Sequence, residues 1–317
     1  INLNERSAMI ILDSVRIYFN LINFKNKIDE AETKRELANR IYKSSLKLYQ
    51  KGMITDNQLR DNKNNLDLAK LDYDIALNEL HNAEQEIFVF TGKDINEIHE
   101  LNTDAVIEFE NYELEDVLNI AMNESNEIKS AQYDVSISRN DLKSNKSQHY
   151  PTLDLIASYD YSDTSSGTRF GANKRESSTV GISLNFPIYQ GGFQNSKVRE
   201  SRINLSNAKL MLDHIKRQIR KDVNDKYNQH TASKKMITII KNKYNSSLIN
   251  LQSAEKGFAN GIYSDVALLK TRLDYIESKN NYTKSVFDYI LVDLQLKKYS
   301  STLSEQDLLQ VNSMLVW

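Results

Sequence analysis

Five histidines, His81, His99, His149, His214 and His230, are the side chains best suited to hold a metal or move a proton. None stands at H-x-x-x-H or Glu-x-x-His spacing, and all five are read as solvated surface groups. Acidic groups such as Glu84/Glu86 and Glu113/Glu115/Asp116 carry the spacing of helix surfaces and first turns, not of a tuned acid–base pair. Gly191-Gly192 lacks the Lys-Ser/Thr that would make it a phosphate cradle. Cysteine is absent, which removes disulfides, thiolate ligands and thiol nucleophiles. The net charge of −2 and a Lys-rich 209–243 stretch that alternates with apolar residues leave no nucleic-acid footprint. The chain is therefore read as a protein without catalysis, metal or cofactor.

What positions side chains here is long helix. Two prolines and nine glycines in 317 residues are too few for many short elements. Residues 4–50 read as one helix on Met9, Leu12, Val15, Phe19, Ile22, Ile41 and Leu48. Residues 55–90 return, with Thr55 or Asp56 as N-cap and Leu59, Leu66, Leu77 and Leu80 on the buried face. Residues 93–112 look irregular. Residues 113–148 are helical with a break near 123–126. A helix of roughly 95 Å follows at 193–256, with Val198, Leu205, Leu212, Ile215, Ile219, Val223, Tyr227, Ile240, Tyr244, Leu248 and Leu251 as its stripe. Residues 264–299 return, and 300–317 are mixed. Mean hydropathy is −0.57, and no apolar run is long enough for a membrane helix.

Between Pro151 and Pro187 the period changes from 3.6 to 2. Leu153, Leu155, Ala157, Tyr159 and Tyr161 share one face of a first strand, and Asp154, Ser158, Asp160 and Ser162 the other, with Ile156 the exception. Val180, Ile182, Leu184, Phe186 and Ile188 share one face of a second strand; Thr179, Gly181, Ser183 and Asn185 share the other. A polar loop at 165–174 joins them. Each strand of nine or ten residues is long enough to cross a bilayer when tilted. A two-stranded hairpin is marginal alone, and its open edges are untenable in lipid unless it closes with others. The alternation by itself does not reject a soluble hairpin packed on a helix.

A shift of 209 residues superposes two segments without a gap. Tyr49 falls on Phe258, Gly52 on Gly261, Thr55 on Ser264, Asp56 on Asp265, Leu59 on Leu268, Tyr73 on Tyr282 and Leu77 on Val286. Each copy reads as helix, glycine turn and capped returning helix. The first copy should also have a β-hairpin before it, so upstream sequence holding one, and any signal peptide or lipid anchor, is expected.

Phe186-Pro187-Ile188-Tyr189-Gln190-Gly191-Gly192, followed by Asn195-Ser196-Lys197-Val198-Arg199, resembles the signature of the TolC family of outer-membrane channels. Tyr150-Pro151-Thr152-Leu153-Asp154-Leu155 resembles the start of that family's strand, Tyr18-Phe19-Asn20-Leu21-Ile22-Asn23 its first-repeat helix, and Thr302-Leu303-Ser304-Glu305-Gln306-Asp307-Leu308-Leu309 its tail. The resemblance implies a mainly α chain with a membrane β-hairpin. In a homotrimer it would build a long helical tunnel and a shared 12-stranded outer-membrane β-barrel. It divides the chain into a first-repeat helical part (1–149), a transmembrane hairpin (150–190), second-repeat helices with a periplasmic tip near 257–265 (191–299) and a C-terminal equatorial segment (300–317).

It further implies a passive exit duct of a tripartite efflux pump or type I secretion system in a Gram-negative outer membrane. Drugs, small molecules or unfolded proteins would pass, with a periplasmic adaptor and an ABC or RND inner-membrane pump as partners. The alternative is a non-channel coiled coil or an adaptor, but adaptors carry Gly- and Pro-rich β-domains. By the resemblance Leu153, Leu155, Tyr159, Val180, Ile182 and Leu184 face lipid, and Asp154, Ser158, Asp160, Ser183 and Asn185 face the lumen. Tyr150, Tyr161, Phe186 and Tyr189 stand where aromatic girdles belong. Pro151, Pro187, Gly191 and Gly192 form strand-to-helix junctions. The tip, with adaptor docking and gate, comprises Gly52, Asp56, Gln58, Phe258, Gly261, Tyr263, Asp265 and Lys270. Family acidic positions at the tip are occupied here by Gln58, Ala267 and Lys270, and Tyr and Arg gate positions by Phe258 and Tyr263. Asp56 and Asp265 are read as N-caps rather than gate groups.

Overall fold

The structure, a computed structural model, describes residues 2–95, 97–102, 111–164 and 173–315. Helices α1 (Asn2–Gln50), α2 (Asp56–Thr91), α3 (Leu114–Glu124) and α4 (Asn126–Ser147) precede strands β1 (Thr152–Thr164) and β2 (Asn173–Asn185). Helices α5 (Phe193–Ala259), α6 (Asp265–Tyr299) and α7 (Glu305–Ser313) follow. The chain divides into two compact units, one of residues 1–126 with 218–317 and one of residues 127–217.

In the first unit α1 and α2 form an antiparallel pair. Lys27–Glu79 (3.1 Å), Lys34–Asp72 (2.7 Å) and a hydrogen bond from Asn62 Nδ2 to Ser45 Oγ (2.7 Å) are its rungs. The seam of α2 is Leu66, Ala69, Tyr73, Ala76, Leu80, Ala83 and Ile87, spaced alternately by three and four residues, with its three alanines buried. Alanine at every seventh position lets the backbones approach, while Tyr73 and the leucines fill the space between. Leu77, expected on this face, is 41 % exposed, and Met9 and Leu48 of α1 are exposed as well. Alanine carries too little hydropathy to reveal a seam to periodicity alone.

The seam of α6 is the same one 209 residues later: Tyr275, Ser278, Tyr282, Ser285, Tyr289, Val292 and Leu296. The Arg35 guanidinium lies 4.0 Å over the Tyr73 ring, and at the two equivalent positions Tyr244 stacks on Tyr282 at 5.5 Å and 11°. A planar group from the preceding helix, α1 or α5, thus covers the same seam tyrosine in both copies. The main core joins the copies, with Phe19 stacked on Phe287 at 4.0 Å among Val15, Ile22, Val286 and Ile290. A bridge between Leu101 and Leu315 and the bond from Asn102 N to Met314 O (2.8 Å) tie in the C-terminal segment. The break between α3 and α4 falls at Ser125, whose extended ψ of 125° stops the helix. Residues 97–102 and 111–113 carry no helix or extended strand, and 103–110 lie outside the described residues.

In the second unit α4 meets residues 193–217 of α5 through polar bonds, Asn145 Nδ2 to Ser201 Oγ (2.6 Å) and Gln194 Nε2 to Gln148 Oε1 (2.9 Å). Here Val198, Leu205, Leu212 and Ile215 are only half buried. The two strands pair antiparallel as a two-stranded sheet.

Candidate functional site

Residues opposite each other in an antiparallel pair project to the same face. The register places Leu153 opposite Leu184, Leu155 opposite Ile182, Ala157 opposite Val180 and Tyr159 opposite Ser178. The two apolar stripes therefore fuse into one surface. Its aliphatic side chains are 68–78 % exposed. Covering Leu153, Leu155, Val180, Ile182 and Leu184 is worth about 1.5–3 kcal/mol each, so the face represents on the order of 10 kcal/mol of uncompensated hydration. The opposite face pairs Asp154 with Ser183, Ser158 with Thr179 and Asp160 with Ser177. Ile156, the exception to the alternation, stands opposite Gly181, which presents no side chain there.

Each strand has 13 residues rather than nine or ten. The added residues are polar: Asn173 and Lys174, expected in the loop, pair with Thr164 and Asp163, and Lys174 lies 3.5 Å from the Asp163 carboxylate. Backbone pairing continues past the apolar rows because ladder bonds need no particular side chain. Residues 165–172 of the expected loop lie outside the described residues. From Leu153 to Tyr161 is about 27 Å along the strand, or about 21 Å of depth at a barrel tilt near 40°, close to the roughly 25 Å apolar band of outer-membrane barrels.

The hairpin is bracketed as the sequence suggests. Pro151 immediately precedes β1, and Pro187 follows β2 by two residues, where no ladder donor is required. Gly191 and Gly192 have φ of 59° and 80°, and the Gly192 carbonyl accepts the first bond of α5, from Ser196 N at 3.0 Å. Side chains with a Cβ rarely adopt that backbone.

The two glycine turns close with the same hydrogen bonds. Gly52 N donates to Tyr49 O (2.8 Å) and Met53 N to Leu48 O (2.9 Å); Gly261 N donates to Phe258 O (3.0 Å) and Ile262 N to Gly257 O (2.8 Å). Both are Schellman closures with glycine left-handed at φ near 70°. Thr55 Oγ1 then accepts from Gln58 N (3.3 Å) and Ser264 Oγ from Ala267 N (3.2 Å). The N-caps are thus Thr55 and Ser264. Asp56 and Asp265, read from sequence as caps, are first-turn residues instead. A Thr or Ser one residue earlier already holds the extended cap conformation, so Asp56 pairs with Arg60 (2.6 Å) and Asp265 with Arg40 of α1 (3.2 Å). Gln58 returns its Oε1 to Thr55 N at 3.0 Å, completing a capping box. Phe258, Tyr263 and Lys270 are exposed beside the second turn.

Among the described residues no helix is long and apolar enough to cross a membrane, and no group of side chains has metal-ligand proximity. The family profile described as "Outer membrane efflux protein" matches residues 117–285, more than half of the chain. The chain belongs to the outer membrane efflux protein family. Outer membrane protein TolC of Escherichia coli K12 is 25% identical over 315 residues, covering 96% of this chain and 64% of the relative. The alkaline protease secretion protein AprF of Pseudomonas aeruginosa is 25% identical over 189 residues, covering 60% and 39%. The crystal structure of the Campylobacter jejuni CmeC outer membrane channel superposes with a TM-score of 0.71 at 15% identity, over 99% of this chain and 68% of that one. The chain thus spans less than two thirds of the length of the TolC relative.

This efflux-family chain holds one constellation that spacing did not reveal. His230, expected at the surface, is 3 % exposed. Its Nε2 lies 3.2 Å from the Tyr289 hydroxyl and 3.4 Å from Asp293 Oδ1, which also accepts from the Tyr112 hydroxyl at 3.0 Å. Lys297 reaches Asp293 (3.3 Å) and Asp307 (3.0 Å). Burial pushes the Asp293 carboxyl up, but the His230 bond, the Lys297 charge and the Tyr112 bond outweigh it and hold it below the usual carboxylate range. Asp307 is held low in the same way, against burial, by Lys297 and by Ser304. The sequence signal for it was position: His230 stands three residues after Tyr227 and ten before Ile240, in line with the stripe itself.

Proposed function

We propose that the chain is the larger part of one subunit of an outer-membrane exit duct, which passively conducts small molecules or unfolded proteins out of a Gram-negative cell. The observation that carries this reading is the hairpin register, which gathers every aliphatic side chain of both strands but Ile156 onto one exposed face, in a chain of the outer membrane efflux family. Leu153, Leu155, Tyr159, Val180, Ile182 and Leu184 meet lipid; Asp154, Ser158, Asp160, Ser183 and Asn185 meet the aqueous lumen. Both strand edges need partners in lipid, and a homotrimer supplies them. With a second hairpin per subunit, as the 209-residue repeat calls for, three subunits give a closed 12-stranded barrel. The helices form the tunnel, and the Gly52 and Gly261 turns form its tip, where a periplasmic adaptor and an inner-membrane pump of ABC or RND type dock. The channel performs no catalysis; the pump supplies the energy. AprF is named for alkaline protease secretion, which supports a protein load as well as a small-molecule one.

The test is the whole protein purified in detergent. A trimer that opens conducting pores in planar bilayers is expected. A monomer that stays soluble without detergent and gives no conductance would overturn the reading.

A further inference from the structure

The repeat makes a comparison possible inside the chain. Positions 230 and 289 of the second copy correspond to Leu21 and Leu80 of the first, where Leu21 is fully buried in an apolar cluster with Ile17, Ala83 and Ile87 and Leu80 packs on it. A helical hairpin of this design therefore needs no polar group there. In the second copy the same place holds His230 and Tyr289, with Asp293 where the first copy has the half-buried Glu84 and Lys297 where it has Phe88. Burying ionised groups costs free energy that leucines avoid.

Every element around the imidazole contributes to the cluster. From α6 come Tyr289 and Asp293, with Lys297 one turn on. Tyr112, from the segment before α3, stands edge-on to the ring at 5.2 Å and bonds Asp293. On α5 itself Tyr227 donates to the Tyr112 carbonyl (3.2 Å) and Lys234 to Asn111 (2.6 Å). From α7 Asp307 takes the other side of Lys297, and its second oxygen accepts from Ser304 N (2.8 Å) and Oγ (3.0 Å). Among the described residues two carboxylates, Asp293 and Asp307, face one ammonium, so a protonated imidazole supplies the positive charge that offsets the second carboxylate.

We infer that this cluster is a one-proton latch: a proton taken from solvent onto His230 offsets the second carboxylate, and its gain or loss sets how firmly α7 is held to α6. With the proton on, Nε2–H donates to Asp293 and the imidazolium charge is shared across the network. With the proton off, the charge is gone and Asp293 draws harder on Lys297, at the expense of Asp307. Proton uptake forms one N–H bond, and water is the only other product. Docking sets the Asp307 carboxylate on the ammonium that also faces Asp293, so a protonated imidazole and a docked α7 favour each other, and docking strengthens as pH falls and weakens as it rises.

The experiment is amide hydrogen exchange across 305–313 of the whole protein, corrected for intrinsic rates, between about pH 5 and pH 8. Protection is expected to fall with rising pH by up to about tenfold per pH unit, the limit for one linked proton. His230→Gln, which keeps a donor but cannot titrate, is expected to flatten that profile. An unchanged slope in His230→Gln, or a flat profile in the wild type, overturns the latch. Should the variant fail to fold, exchange of the imidazole C2 proton reads the titration of His230 directly in the wild type. Its midpoint is expected to coincide with that of the α7 amides, and separate midpoints overturn the proposal.

Discussion

The ring of Tyr263 lies across Gly257, so close that a Cβ added there would collide with Cδ2 and Cε2. Gly257 is buried beneath it in the last turn of α5, and its carbonyl accepts from both Ile262 N and Tyr263 N. The first copy has Leu48 and Ile54 at these positions, so of the two glycine turns the second alone is built on a glycine–tyrosine contact. Gly257→Ala is expected to displace the ring and destabilise the turn by about 1–3 kcal/mol, the usual range for overpacking. Limited proteolysis within 257–264 should rise with it. Adding Tyr263→Ala should recover most of the loss, and additive effects in that double-mutant cycle would show that the contact is not the cause.

Thr55 and Ser264, not the aspartates that follow them, cap the helices after the two glycine turns. Thr55→Ala and Ser264→Ala are each expected to cost about 1 kcal/mol, whereas Asp56→Asn and Asp265→Asn, which remove only exposed ion pairs, should cost a few tenths. Thermal unfolding of the four variants decides the order. Equal losses at Asp56 and Thr55 would return the cap to the aspartate.

Asp293 and Asp307 both titrate below the usual carboxylate range in the folded chain. A depressed carboxylate contributes stability that is complete above its unfolded value, about 3.9, and is lost as pH falls through the folded one. The C-terminal segment is thus expected to loosen in acid, below about pH 4, with exchange of the 305–313 amides rising before the rest of the helices unfold. Asp307→Asn should bring part of that loosening to neutral pH. This acid limit lies below the window in which the His230 latch operates and has the opposite sign.

Local signals dominate what the sequence made legible. The Gly-x-x-Ser/Thr turns, the paired prolines and the period-2 stretch each express a backbone requirement at a few residues, and the structure has turns, hairpin and helix ends where those signals stand. What escaped is set by partners distant in sequence. His230 looks like any helical histidine until Asp293 and Tyr112 are beside it, and the alanine seam of α2 is recognisable only against α1. The choice of cap stayed open for a smaller reason: Thr55-Asp56 and Ser264-Asp265 offer two competent side chains in a row, and backbone geometry chooses the first.

On the strands a charge should discriminate the two faces. Ile182→Arg, on the aliphatic face, is expected to cost about 2–4 kcal/mol in membrane stability if it lies near the midplane. Ser183→Arg, its neighbour on the polar face, should assemble normally and alter only conductance. Heat-modifiable trimer on gels and single-channel recordings report the two effects. Equal tolerance of both substitutions would remove the lipid-facing assignment.

If the glycine turns form the proposed tip, Gln58, Ala267 and Lys270 change its charge from the family pattern that the sequence resembles. Gln58 is engaged in the Thr55 cap, and position 267 holds an alanine whose amide is bonded to Ser264. Lys270 is exposed one turn beyond Ala267. In a trimer these positions would present three ammonium groups and no carboxylates from residues 267 and 270. Multivalent cations are therefore repelled rather than concentrated, because interaction with a ring of like charge scales with the product of both charges. Conductance in planar bilayers is expected to resist a trivalent cation such as hexamminecobalt. Ala267→Asp with Lys270→Asp should replace the three positive charges with six negative ones and create block that weakens as salt screens it. Strong block of the wild type, persisting in Asp56→Asn/Asp265→Asn, would place the narrowest point of the duct away from these turns.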